Sequence, residues 1–255
     1  MIEKRITNFK NYILDMSKYY IQKMQEQFYL AKQAKAYVLM FHYVGNYKDT
    51  WADAEYSISA TSLKEMITLL QKEGFEFCTL DDILKKKTEK RVAITFDDAY
   101  EGVYTEMFDF FKEKNIPFTA FQTVSFLGQP GYLTEDMIKA MLEYKGFTLG
   151  AHTITHCDLH QTINWKGEIE NPIYIYIERF GIKPAYFAYP YGAYITINWK
   201  NIKYVSKKYE AAFSTCNTGI FHKKFISKYM LPRMNINENN YKNVMGRLTC
   251  KKMKV

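Results

Sequence analysis

Apolar side chains recur at Ile2, Ile6, Phe9, Ile13, Met16, Tyr20, Met24 and Phe28, with no Gly or Pro through residue 34. Steps of three and four line one stripe of a 3.6-residue repeat, so the pattern predicts a long amphipathic helix. From Tyr37 the rhythm changes. Short apolar runs at 37–42, 75–79, 91–96, 118–123, 147–151, 185–188, 211–214 and 230–234 read as strands. Between them, 61–73, 101–114, 134–145, 166–180 and 197–208 read as helices, with Thr61 and Thr134-Glu135-Asp136 as helix starts. Strand–helix alternation over this length predicts an α/β domain with a parallel sheet, either open or closed into a barrel. The expected organisation is a helical extension over 1–36 and one domain over 37–255.

Composition narrows the picture in a few places. A chain of 255 residues with 47% hydrophobic content fills one large core. Its 22 Tyr and 18 Phe exceed ordinary core needs, and surplus aromatics often line grooves that stack on sugar faces. The net charge of +8 permits anionic partners. The lysines are scattered, however, and no recognition motif accompanies them, which argues against nucleic acid as a partner. The runs Lys85-Lys86-Lys87 and Lys251-Lys252 read as solvated faces. Cys78, Cys157, Cys216 and Cys250 form no CxxC pair, which excludes a zinc-finger framework and suggests reduced thiols. No apolar run has the form of a signal peptide or a membrane span. The expectation is a cytoplasmic protein whose first helix could lie peripherally on the inner membrane face.

Active sites of parallel α/β folds gather at the C-terminal ends of strands, so the residues that follow each strand matter most. His42 follows the first, Asp97-Asp98 the third, His152 to His156 the fifth, and Tyr189-Pro190-Tyr191-Gly192 the sixth. Histidines four apart would share one side of a helical turn and could grip one metal ion, although core or surface pairs share the spacing. Adjacent acids also cap helices. Together, two His and one carboxylate form a common catalytic zinc arrangement, which leaves the second carboxylate free as a general base.

The segments Thr95-Phe96-Asp97-Asp98, His152-Thr153-Ile154-Thr155-His156 and Phe187-Ala188-Tyr189-Pro190-Tyr191-Gly192 resemble, in order and spacing, the first three motifs of the polysaccharide deacetylases. This is the NodB-homology domain, carbohydrate esterase family 4, and the similarity runs from about Tyr37 to Asn237. The resemblance implies a distorted (β/α) barrel and a hydrolase that removes acetyl groups from N-acetylated amino sugars in a polysaccharide or glycan precursor. It implies one divalent ion held by Asp98, His152 and His156, most readily Zn²⁺, with Co²⁺, Ni²⁺ or Fe²⁺ suited to the same ligands. A water on that ion would be the nucleophile and Asp97 its base. A backbone N–H near Tyr191 would help hold the oxyanion, and Tyr189, Pro190, Tyr191 and Gly192 would face the substrate.

Two departures from the family pattern stand out. Ala188 occupies a place where many members carry an Arg that steadies the catalytic Asp. Leu231-Pro232-Arg233 replaces a Leu-x-His motif that often supplies the general acid, and only His222 lies nearby. Both gaps resemble the poly-N-acetylglucosamine deacetylase subgroup, in which an N-terminal strand provides the acid. Val38-Leu39-Met40-Phe41-His42 fits that description, which nominates His42 as the acid and Arg233 as the tether of Asp97. His160 reads as a surface histidine, Cys157 as a small core residue, and Phe213-Ser214-Thr215 as wall residues. Two other functions stay open at this point. One is a non-catalytic carbohydrate-binding relative, and the other is a deacylase of O-acetyl or non-sugar amide substrates.

Overall fold

The computed structural model describes residues 36–46, 55–85, 88–193, 195–216 and 227–249. The expected N-terminal helix, His222, Cys250, Lys86-Lys87 and Lys251-Lys252 lie outside the described residues.

Eight strands form one sheet: β1 (Ala36–Phe41), β4 (Glu76–Phe77), β5 (Arg91–Asp98), β6 (Phe118–Gln122), β7 (Phe147–Ala151), β8 (Tyr186–Ala188), β9 (Ala211–Phe213) and β10 (Met234–Asn235). Their order is β10-β1-β5-β6-β7-β8-β9, with β4 beside the first residues of β5, and every pairing is parallel. Two shorter strands, β2 (Tyr43–Val44) and β3 (Ser57–Ile58), pair apart from it. A single segment stitches the two edges of the sheet together. The Leu231 N–H donates to Ala212 O (2.9 Å) and the Ser214 N–H to Leu231 O (2.8 Å), while Met234 pairs with Leu39. The expected strand at 230–234 is thereby split into an isolated bridge at Leu231 and the two-residue β10. Pro232 has no N–H to give, so the ladder breaks there. The result is the curled, distorted (β/α) barrel.

Side chains alternate across a strand, and here the alternation makes two cores. Leu39, Phe41, Ile94, Phe96, Leu149 and Phe187 face outward onto the helices. Val38, Ala93, Phe121, Ala188, Phe213 and Leu231 face into the barrel. The interior is narrow. A Cβ on Gly150 would sit 2.4 Å from the Phe121 ring, and Phe121 is itself fully buried beneath the Arg233 guanidinium. Gly150→Ala is therefore expected to destabilise the fold by about 1–3 kcal/mol, the ordinary cost of overpacking. Urea unfolding of wild type and variant would measure it.

The expected helices are present as α1 (Ala60–Lys72), a π-helical turn at Val103–Met107 leading into α3 (Phe108–Glu113), α4 (Glu135–Leu142), α5 (Trp165–Phe180) and α6 (Trp199–Val205). Two further helices, α2 (Leu80–Lys85) and α7 (Tyr241–Thr249), were not anticipated. Thr134 caps α4 by accepting from the Met137 N–H (3.2 Å). Thr61 is not the start of α1. Ser59 is the cap, with its hydroxyl accepting from the Ser62 N–H (3.1 Å). Because the strands run parallel, their C-terminal ends all open on one side of the sheet, and the candidate residues collect there.

Candidate active site

Strand parity aims the first groups. His42 continues the inward set of Val38 and Met40, Asp97 that of Ala93 and Thr95, and His152 that of Gly150. All three line a cavity of about 430 Å³ at the strand ends. Asp98 should by parity point the other way, into the outer core. Its backbone instead turns to φ +64°, followed by Ala99 at +60°, and this left-handed step brings both carboxylates of the doublet to one cavity. Thr153 (+66°), His156 (+57°) and Tyr191 (+60°) share the same uncommon conformation. Five of the seven such non-glycine residues in the described structure thus sit at the C-terminal ends of β5, β7 and β8, and backbone strain is typically found at functional sites.

The segment from His152 to His156 is an irregular turn, not the helical turn that its four-residue spacing suggested. Two left-handed residues fold it back so that the rings approach edge to face, with centroids 4.9 Å apart. Glu168, reaching over from α5, holds the turn. It accepts the backbone N–H groups of Ile154 and Thr155 (both 2.9 Å) and the Thr155 hydroxyl (3.1 Å). Thr153 Oγ1 accepts the His156 N–H (3.0 Å). Nothing in the sequence marks Glu168, because its partners lie 13 and 14 residues away. If the turn holds a divalent ion, Glu168→Ala is expected to weaken its binding about 10- to 100-fold, the usual cost of losing a group that orients ligands. Competition with a chromophoric chelator would measure that loss, and Glu168→Gln should recover part of it.

Asp98, His152 and His156 converge, with one ligand atom of each within 4.8 Å of the others. Asp98 Oδ1 lies 3.7 Å from His152 Nε2 and 3.3 Å from His156 Nε2, yet it is buried without a hydrogen-bond partner. His152 Nδ1 is 2.8 Å from the Ala188 carbonyl. A carbonyl only accepts, so Nδ1 carries the proton and Nε2 turns its lone pair toward Asp98. Burial lowers both imidazole pKa values, that of His152 to about 3, which keeps the rings neutral as ligands must be. Burial likewise raises Asp98 to about 6. Two neutral nitrogens around an unpartnered carboxylate oxygen are a donor set that fits a divalent ion.

Asp97 is managed differently. Burial pushes its pKa up, but Arg233 and His152 outweigh that and hold it at about 2. The guanidinium is fully buried. It forks onto the carboxylate, with Nη1 to Oδ1 at 2.5 Å and Nη2 to Oδ2 at 2.7 Å, while Nε donates to Ser214 O (3.1 Å). The fork fixes both orientation and charge. Arg233 arrives on the segment that bridges β9 and β1 and closes the barrel.

Of the third-motif residues, only Tyr191 lines the cavity. Tyr189 falls on the outward parity, fully buried against Phe187, with its hydroxyl bonded to Tyr229 O (3.0 Å). Pro190 is buried behind the turn. Gly192 packs so closely on the following strand that a Cβ would meet Thr215 N at 2.7 Å. His160 is on the surface, 2.9 Å from Ile195 O. Tyr56, Tyr100 and Asn235 also line the cavity. The sequence carries no motif for the two tyrosines. Asn235 could have been found as the residue two beyond Arg233, on the same face of its strand.

The polysaccharide deacetylase family matches residues 84–211, about half of the chain. The chain belongs to this family. YxkH of Bacillus subtilis (strain 168), which carries a provisional polysaccharide deacetylase name, is 30% identical over 129 residues, or 50% of this chain. That match spans only 45% of YxkH. A polysaccharide deacetylase from Bacillus cereus superposes with a TM-score of 0.69 at 22% identity, covering 83% of this chain and 69% of that one. The deacetylase PplD of Streptococcus pyogenes superposes at 0.73 with 19% identity (85% and 99% covered), and IcaB of Ammonifex degensii at 0.71 with 20% identity (86% and 99%). At these identities the superpositions establish the fold.

Proposed function

We propose that this polysaccharide deacetylase family member hydrolyses the acetamide of N-acetylated amino sugars in a glycan, using a divalent ion. The observation that carries the reading is one cavity holding two carboxylates in different surroundings. Asp97 is held ionised by Arg233, and Asp98 is left without a hydrogen bond between two neutral imidazoles. When bound by Asp98, His152 and His156, the ion would polarise the acetyl carbonyl and bring the pKa of a water to about 7, far below that of free water.

Asp97 takes the proton of the attacking water while Arg233 keeps its oxygens aimed. A backbone N–H near Tyr191 supports the developing oxyanion. His42 protonates the departing nitrogen as the carbon–nitrogen bond breaks. Burial lowers the His42 pKa against the pull of Asp97 and Asp98, so the imidazolium is the minor form at pH 7 and a strong donor. Half-exposed Tyr56 and Tyr191 flank the mouth and offer faces for a sugar ring.

The test is acetate release from N-acetylglucosamine oligomers by the metal-stripped chain, with and without added Zn²⁺. The expected result is release only with the ion. No release by any metal-loaded form on any oligomer would overturn the reading.

A further inference from the structure

Seven large hydrophobic side chains are well exposed among the described residues, and four of them lie on two neighbouring segments: Ile163, Tyr191, Ile195 and Trp199. Tyr191 belongs to the mouth of the cavity. The other three have no role in the chemistry described above. Ile163 is 99% exposed, Trp199 74% and Ile195 46%. Keeping such groups in water costs free energy, and their clustering beside an active site marks an interaction surface.

The two segments run side by side away from the mouth. At the cavity, the rings of His156 and Tyr191 meet edge to face with centroids 5.0 Å apart. Farther along, His160 Nδ1 donates to Ile195 O (2.9 Å). Farther still, the Trp165 and Tyr204 rings pack nearly at right angles with centroids 5.4 Å apart. Ile163 falls between the second and third of these contacts on one segment, and Trp199 falls between them on the other. The three apolar side chains therefore stand on one strip that begins at the active-site mouth. The strip is also basic. Exposed Lys166 lies over the Trp165 and Tyr204 rings, 5.7 and 5.9 Å from their centroids. Trp199 opens α6, Lys200 and Lys203 follow it on the exposed side, and Lys207 lies just past the helix end. Trp199 and Lys203 are one turn apart and share that solvent face. Among the described residues no carboxylate pairs with these four lysines, whereas Lys208 is bonded to Glu170.

We propose that this strip docks the protein on the surface of an anionic lipid bilayer, with the cavity mouth beside the contact. Tryptophan settles at the level of the headgroups, isoleucine enters the boundary of the acyl chains, and lysine meets the anionic phosphates. A neutral N-acetylated glycan offers the lysines no charge. Isoleucine, in turn, has neither a flat face nor a polar tip for a sugar ring, so the strip is not composed as a sugar track. No described helix is long and apolar enough to cross a membrane, and the contact drawn here is a peripheral one. It is independent of the reaction assigned above, because it rests on the outer surface alone.

The experiment is cosedimentation of the full chain with vesicles of phosphatidylcholine alone and of phosphatidylcholine mixed with phosphatidylglycerol. Wild type should bind the mixed vesicles about tenfold or more tightly than the neutral ones, and less tightly as salt is raised. Changing Ile163→Ser, Ile195→Ser and Trp199→Ser together should weaken binding to the mixed vesicles by about tenfold or more. Changing Lys200→Gln, Lys203→Gln and Lys207→Gln should weaken it by about fivefold for each charge removed. Brominated acyl chains should quench the tryptophan fluorescence of wild type, and Trp199→Phe should remove most of that quenching. If the triple serine variant does not fold, Ile163→Ser alone, at the most exposed position, is judged by the same assay. No vesicle binding by wild type, equal binding to neutral vesicles, or variants that bind as wild type does would overturn the proposal. So would a serine variant that keeps vesicle binding but loses affinity for soluble N-acetylglucosamine oligomers, since the strip would then serve the glycan.

Discussion

Acetate release by an Asp97→Asn protein is expected to fall by about 10³-fold or more, within the range that a positioned base supplies, while zinc affinity stays within a few-fold. Asn keeps the size of the side chain but cannot take the proton of the attacking water. In the proposed mechanism the ion is held by Asp98, His152 and His156 instead, so binding and turnover should separate. Direct titration of zinc beside the acetate assay would show that separation. Loss of zinc binding in Asp97→Asn would instead place Asp97 among the ligands.

Arg233→Ala gives the complementary result. The guanidinium overcomes burial to hold Asp97 at about pKa 2, so its removal lets the carboxyl rise. A base that must be ionised then fails at higher pH, and the acid limb of kcat/KM should move upward. The sign for stability follows from the same linkage. A depressed carboxylate stabilises the fold above its unfolded value of 3.8 and loses that contribution as pH falls toward about 2. Wild type should therefore keep this contribution at pH 5, and Arg233→Ala should lack it there. The variant also leaves a buried Asp97 unpaired, which costs about 3–5 kcal/mol.

The second large effect concerns the ion site. Asp98→Asn is expected to abolish tight zinc binding and activity together. In wild type, zinc affinity should be flat above pH 7 and fall below about 6, where the raised carboxyl of Asp98 takes up a proton. His152 stays neutral down to about pH 3 and so adds nothing to this loss. The same raised pKa makes the charge of Asp98 a burden on the metal-free fold at neutral pH. Metal-free Asp98→Asn should therefore melt higher than metal-free wild type at pH 8, although it no longer functions. An equal or lower melting temperature would mean that the carboxylate is already paired without an ion. The opposite signs for stability and activity are those expected where a site is held ready for a ligand.

Much of this was legible before any coordinates. Short apolar runs gave β5, β6 and β7 to within two residues, because strands covered by helices outside and packed inside the barrel leave continuous apolar stretches. The Asp97-Asp98 doublet and the His152–His156 pair were legible because ligand chemistry restricts the residue types. Other features were not. The spacing of the histidines suggested a helical turn, whereas Glu168 and two left-handed residues shape an irregular one. Tyr189 sat inside a recognised motif but fell on the outward parity. Helix α7 is short and has Gly246 inside it, although its buried residues Tyr241, Val244, Met245 and Leu248 keep helical spacing. The expected strand at 230–234 concealed a break at Pro232 and the closure of the barrel.

The sequence by itself determined the class of fold, the order of its elements and the kinds of side chain that carry the chemistry. These follow from local periodicity and from what metals and protons require of their ligands. Tertiary structure alone decided which residues meet. Arg233 lies 136 positions from Asp97, and Ala188 lies 36 from the His152 ring it orients. Such pairings depend on strand register, on the curl that brings β10 beside β1, and on left-handed backbone at Asp98 and His156. None of these is encoded in a short window, because each is stabilised by contacts made only after the barrel closes.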